Sequence, residues 1–179
     1  TERSLDVRAT YNVVGCLLRD LKEDIARDGH CLAFHSYDHD LNKRQLTRCR
    51  QIDSEIIGYR APRSIITAEL SDYELQRHGF RWLASSAKSL GTRLPKQDIG
   101  IAKIPILFDD FELFSRRTDY HEWEAKALAT IVNSPIAAFC LHDCYAFHWL
   151  PYYRRFLERV LQLGTFSVLD NVEKDYKLA

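Results

Sequence analysis

Methionine is absent from all 179 residues. Several would be expected at this length, so the sequence reads as a piece of a longer chain or one from which residues have been lost. The motifs used below are local and survive either case. An excess of one charge is also missing: Lys+Arg and Asp+Glu both count 25, so the formal net charge is zero. Nucleic-acid binding is therefore not expected, because a polyanion partner calls for a basic face or basic runs. The pairs Arg116-Arg117 and Arg154-Arg155 sit in mixed surroundings and read as solvated surface.

No apolar run approaches the roughly 18 residues that a membrane-spanning helix needs. The longest, Pro135 to Leu141, has the length of a strand. No secretory signal is visible, although one could precede Thr1. The five cysteines are irregularly spaced and include no Cys-x-x-Cys, which argues against a disulfide framework. Free thiols lean toward a reducing, cytoplasmic setting, with a secreted or surface location following if a signal precedes the chain. Glycine and proline number only 7 and 5 and form no linker, so a single domain over residues 1–179 is expected.

What is present is an alternation of short apolar runs with longer amphipathic ones. The residues 8–15, 31–34, 56–60, 80–84, 102–108, 136–141 and 166–169 read as strands. Helical spacing of apolar residues covers 17–27, 41–55, 120–132 and 150–163, and Thr67 reads as the N-cap of another helix ending at Gly79. Gly29 stands where a left-handed helix cap belongs. The non-periodic stretch 88–100 reads as a surface loop. Strands separated by helices indicate βα units and a parallel sheet, and the fold class is α/β. Periodicity alone leaves a closed barrel and an open doubly wound sheet equally available.

In parallel βα folds, catalytic groups gather at the carboxyl ends of the strands. The run Cys31-Leu-Ala-Phe34 ends in His35-Ser-Tyr-Asp-His39, Ile56 to Tyr59 ends in Arg60-Ala-Pro62, and Phe139-Cys-Leu141 ends in His142-Asp143. Two histidines four apart share one side if the segment turns helically, and two imidazoles suit zinc or another divalent transition metal. As unconnected residues, His35 and His39 are loop histidines, Arg60 a surface ion-pair partner and His142 a hydrogen-bonded core histidine. Tyr145, Phe147, His148 and Trp149 cluster after His142. Tyr145 and Trp149 could line a sugar groove, with core packing equally open. Asp109-Asp110 could reach the same rim, but a solvated loop is the expected role. His30, His78 and His121 have no partner in the sequence. Cys140 and Cys144 are expected to pack.

These segments resemble, in order, the motifs of the polysaccharide deacetylases (the NodB-homology family, carbohydrate esterase family four). Gly29-His-Cys-Leu-Ala-Phe-His-Ser-Tyr-Asp-His39 is similar to their second motif, Gly58-Tyr-Arg-Ala-Pro62 to the third and Phe139-Cys-Leu-His142 to the fifth. Arg8 to Gly15 resembles the strand that follows their first motif, and Gly79-Phe-Arg-Trp-Leu-Ala-Ser-Ser86 a further shared stretch. The resemblance implies a distorted (β/α) barrel of about seven parallel strands that removes an acetyl group from an N-acetylated sugar or polysaccharide. It implies that His35 and His39 hold the metal, that His142 protonates the leaving amine, and that Arg60 orients a catalytic carboxylate. Pro62 would lie along the substrate. The first motif, an Asp-Asp pair supplying the general base and third ligand, is not in the sequence. Either the first βα unit precedes Thr1, which the other motifs favour, or the chain is a non-catalytic relative that binds carbohydrate. Hydrolysis of formyl groups or cyclic amides is the alternative within the same fold. Ala84 stands where many relatives carry an Asp that supports the arginine.

Overall fold

A computed structural model describes residues 1–41, 44–98, 100–115 and 118–176. The Arg116-Arg117 pair lies outside the described residues. The chain divides into two compact units, Thr1–Val7 with Ile106–Phe166 and Arg8–Pro105 with Ser167–Ala179. The second is here called the sheet unit and the first the helical unit, and each has its own apolar core.

In the sheet unit, β1 (Thr10–Val13) leads through α1 (Leu18–Arg27) to β2 (Cys31–Phe34), α2 (Gln45–Ile52) and β3 (Gly58–Arg60). Then come α3 (Asp72–Arg77), β4 (Trp82–Ser86), α4 (Ala87–Leu90), β5 (Lys96–Asp98) and β6 (Ile101–Asp109). The strand order is β1-β2-β3-β4-β6-β5, with β1 to β4 mutually parallel. Its core holds Phe34, Leu46, Tyr59, Leu75, Phe80 and Leu83, all nearly inaccessible to water. At roughly 2 kcal/mol for each such side chain, their burial is the main force fixing these strands. Gly29 adopts φ 76, as expected at the end of α1. Gly58 has a different reason: a Cβ there would stand inside the Trp82 indole.

Four expectations change on folding. The stretch 88–100 is not wholly loop; it contains α4 and the end of a hairpin, in which β5 pairs antiparallel with β6. The described strands number seven, but they are therefore not all parallel. Residues 166–168 form no strand, and α9 (Leu169–Tyr176) begins instead. The Leu169 N–H donates to the Thr10 hydroxyl at 2.8 Å and Asp170 accepts the Trp82 indole N–H at 2.7 Å, which anchors a helix start there. Thr67 precedes a single 3-10 turn, and the true cap of α3 is Ser71, whose hydroxyl accepts from Glu74 N–H.

The helical unit contains α5 (Phe111–Ser115), α6 (Tyr120–Val132), β7 (Ala138–Cys140), α7 (Ala146–Trp149) and α8 (Tyr153–Leu161). The last residues of β6 pair parallel with β7, across a register shift. The strand β7 is half-buried throughout rather than fully buried. Helices α6 and α8 meet through Trp123, Phe156, Leu157 and Val160. Buried Glu124 is held by Arg159 at 2.6 Å, Arg155 at 3.6 Å and the Tyr120 hydroxyl at 3.2 Å. Among the described residues, no helix is long and apolar enough to cross a membrane. All five cysteines are free thiols, with Cys140 half-buried and Cys144 exposed.

Candidate metal centre and proton donor

The sheet unit carries His35, His39 and Arg60. Phe34 closes β2, and His35 directly follows, with its N–H still bonded to the Val13 carbonyl at 2.8 Å. The imidazole is therefore fixed at the carboxyl end of the strand. His35 Nδ1 lies 3.1 Å from the Arg60 carbonyl oxygen. A carbonyl only accepts, so Nδ1 carries the proton.

The link from His35 to His39 is not a helical turn. Ser36 and His39 adopt φ 60 and φ 62, in the left-handed region. Each costs on the order of 1 kcal/mol for a residue with a side chain. Neighbouring groups hold this shape. Ser36 and Tyr37 carbonyls accept from the Gly15 and Cys16 N–H groups at 2.9 and 2.8 Å, and the Ser36 hydroxyl accepts from His39 N–H at 2.8 Å. Gln45 on α2 accepts from Tyr37 N–H and donates to Asp38, both at 2.9 Å. Arg48 pairs with Asp38 at 2.6 Å and lies 3.6 Å from the Tyr37 ring centre. The outcome is that the rings of His35 and His39 stand 4.8 Å apart, close enough to address one ion.

Arg60 is buried, with 4% of its surface exposed, and its Nη1 has no hydrogen-bond partner. Ala84 is its register partner on β4 and offers no carboxylate. A buried guanidinium nitrogen left unpaired is costly, and an anion placed there would be strongly held. Pro62 is buried as the first residue of a short turn, Pro62–Ser64. Two imidazoles and an adjacent unsatisfied cation fit a divalent ion carrying a carboxylate, but only as part of a ligand set. Among the described residues, no third His, Cys, Asp or Glu joins the pair.

The helical unit carries the other histidine. His142 follows β7, and its Nδ1 lies 2.5 Å from Asp110 Oδ1. Asp110 Oδ2 accepts from the His142 N–H at 2.7 Å and from the Trp149 indole at 2.8 Å. Asp110 is completely buried, so the solvated loop expected for Asp109-Asp110 is not formed at the second residue. Trp149 is buried as well, with its N–H on the carboxylate rather than its ring on a surface. The Trp123 indole on α6 holds the Asp109 carbonyl at 2.8 Å and so fixes the turn. The Asp110 hydrogen bond, followed by Cys140 with its sulfur 4.0 Å from Nε2, raises the His142 pKa to about 10. The protonated form of His142 is thus favoured, with Asp110 on Nδ1 and the Cys140 sulfur beside Nε2. Tyr145 stands edge-on to it, at 5.4 Å between centres.

Sequence reasoning missed Asp110. The available signal was an Asp directly after an apolar strand, in a chain whose next strand ends in histidine. The unassigned histidines are structural: His30 Nδ1 accepts from Ala9 N–H, His78 bonds Thr47 and the Glu74 carbonyl, and His121 packs edge-on to Tyr120 and Tyr152. A groove of about 420 Å³ between α6 and α8, lined by Leu128, Val132, Asn133 and Arg159 among others, contains none of the site residues.

Parallel strands alternating with helices, with histidines at two strand ends, define a βα scaffold, and solved structures specify its type. No family model matches the chain, and no curated protein does. The Puue allantoinase matches over 99% of this chain and 70% of its own, at 13% identity and TM-score 0.77. The peptidoglycan deacetylase PdaC from Bacillus subtilis matches over 99% and 81%, at 13% identity and TM-score 0.61. A CE4 family pseudoenzyme from Bacillus anthracis matches over 93% and 55%, at 12% identity and TM-score 0.60. The chain has the NodB-type polysaccharide deacetylase fold, a distorted β/α barrel.

Proposed function

We propose that this domain is a metal-dependent hydrolase that removes an N-acetyl group from an amino sugar or polysaccharide. The observation that carries the reading is the pairing of His35 and His39 at the end of β2. The buried Asp110–His142 pair supports it from a different strand end. Zinc or another divalent transition ion would be held by the imidazoles of His35 and His39, and would supply Lewis acidity toward the amide carbonyl and acidify water. Arg60, whose buried Nη1 is unpaired, would orient a carboxylate bound beside the ion. His142 is the general acid. Its Nε2 gives a proton to the departing amine, while Asp110 retains the Nδ1 proton, keeps the ring in one orientation and stabilises the charged form. Tyr145, beside the acid, lies along the sugar.

Two other readings each have an observation behind them. A likeness to an allantoinase favours a cyclic amide as substrate. The likeness to a pseudoenzyme, together with a carboxylate-free Arg60, favours a domain that binds carbohydrate without turning it over.

The deciding experiment joins elemental analysis of the purified full-length protein to product release. One equivalent of divalent metal is expected in the wild type and none after His35→Ala or His39→Ala. His142→Ala is expected to keep the metal and to lose acetate release from a chito-oligosaccharide by at least about a hundredfold. Stoichiometric metal in both ligand variants, or unchanged turnover in the His142 variant, would contradict the assignment. Release from allantoin but not from the sugar would establish the cyclic-amide reading. Sugar binding without any release would establish the silent one.

A further inference from the structure

The proton-donor site holds a thiol that amide hydrolysis does not need. Cys140 closes β7 two residues before His142, and its sulfur lies 4.0 Å from His142 Nε2 and 3.7 Å from the Leu141 carbonyl oxygen. The imidazole is held from its other side by the completely buried Asp110. The sheet register explains the meeting. Asp109 at the end of β6 pairs with Cys140 at the end of β7, so the residues that follow the two strands converge. Thiol, imidazole and carboxylate therefore stand in sequence around one ring. A sulfur beside a protonated imidazole that a carboxylate orients is the arrangement that produces a nucleophilic thiol.

The other four thiols provide the contrast. Burial pushes the Cys31 and Cys49 thiols up to about 12, with the Asp170 charge adding to the effect on Cys31, and both are poor nucleophiles at neutral pH. Cys16 and Cys144 are exposed. Among the described residues, Cys140 is the one thiol within hydrogen-bond reach of an imidazole. It is half-buried, and the His142 side chain keeps 27% of its surface exposed, so a molecule as small as hydrogen peroxide reaches the pair.

We infer that Cys140 is a peroxide-reactive thiol, activated by the Asp110–His142 pair, and that its oxidation to a sulfenic acid blocks proton donation by His142. The sulfur forms an S–O bond as the peroxide O–O bond breaks. The departing hydroxide takes the Nε2 proton and leaves as water, and the thiol proton returns to Nε2. Sulfur loses two electrons and peroxide gains two, giving a sulfenic acid and water. The added oxygen stands against Nε2 and occupies the proton that a departing amine would receive. What the oxidation silences depends on the deacetylase reading, whereas the reactivity of the thiol does not.

The test begins with timed labelling of the full-length protein by iodoacetamide at neutral pH, read at each cysteine by peptide mass spectrometry. Cys140 is expected to label at least about tenfold faster than Cys16 and Cys144, although both are more exposed. His142→Gln is expected to bring Cys140 down to the rate of those two, and an unlabelled Cys49 in the same spectra shows that the variant is folded. Hydrogen peroxide is expected to place a dimedone-trapped sulfenic acid on Cys140 before any other thiol. A wild-type Cys140 slower than Cys16 and Cys144 would overturn the inference, and so would a folded His142→Gln protein that labels as fast as wild type. Acetate release from a chito-oligosaccharide reads the consequence. Peroxide is expected to remove about nine-tenths of it, a phosphine reductant to restore it, and Cys140→Ser to abolish the sensitivity whatever its own rate. Full release with Cys140 oxidised would overturn the switch. A protein with the fast thiol that releases no acetate in either state would sink the hydrolase reading and leave the thiol assignment standing.

Discussion

The two histidine sites of this chain differ in how completely their polar groups are matched. In the helical unit, Asp110 is wholly buried, and its two oxygens receive three donors from His142 and Trp149. In the sheet unit, Arg60 is nearly as buried, but its Nη1 has no partner and its register neighbour is Ala84. A satisfied buried carboxylate stabilises the fold that contains it, whereas an unsatisfied buried cation costs stability and is kept for what it can bind. The first site is finished by its own unit. The second leaves the Arg60 Nη1 without a partner.

The largest expected effect comes from breaking the finished site. Asp110→Ala leaves an imidazolium, a main-chain N–H and an indole N–H without an acceptor. It is expected to cost about 3 kcal/mol in urea denaturation. A loss near zero would show that the network is not formed. The pH dependence sharpens the same point. His142 has a folded-state pKa raised to about 10, above its ordinary value, so its contribution is fully present below about pH 6.5 and is lost as pH rises through 10. Stability of the wild type is expected to fall across that alkaline window, and Asp110→Asn is expected to flatten the fall. Identical alkaline profiles for the two proteins would detach His142 from Asp110. The smallest effect has the opposite sign. Arg60→Leu removes an unpaired buried charge and is expected to raise stability by about 1 kcal/mol in the protein of residues 1–179. Destabilisation by that change would mean that Arg60 is already satisfied, and the contrast between the two sites would fail.

Where the apolar pattern was local, the fold and the site were legible. The run Cys31 to Phe34 is a strand whose last two residues, Ala33 and Phe34, are buried in the sheet core, and His35 falls at its end for that reason. The convergence of His35 and His39 was readable from their spacing, but not its means. The convergence was tied to a helical turn between them; two left-handed residues, with Gln45, Gly15 and Cys16 bonded to the segment, achieve it instead. The hairpin of β5 was not readable, since Lys96-Gln-Asp98 has neither alternation nor β-branched residues, and pairing to β6 makes it a strand. Asp110 was the clearest miss. Two adjacent aspartates look solvated until donors 32 and 39 residues further on are folded against the second one.

The residue pattern by itself determined the βα alternation, the strand-end placement of His35, Arg60 and His142, and the absence of any charge surplus for a polyanion. Each depends on neighbours within a few positions, where the periodicity of helix and strand acts directly. Tertiary structure alone decided that Asp110 is a buried partner of His142, that Trp149 serves that carboxylate, and that Phe111 and Phe114 face water. These outcomes depend on which distant donors and apolar surfaces meet, and a linear pattern carries no record of that meeting until the chain has closed.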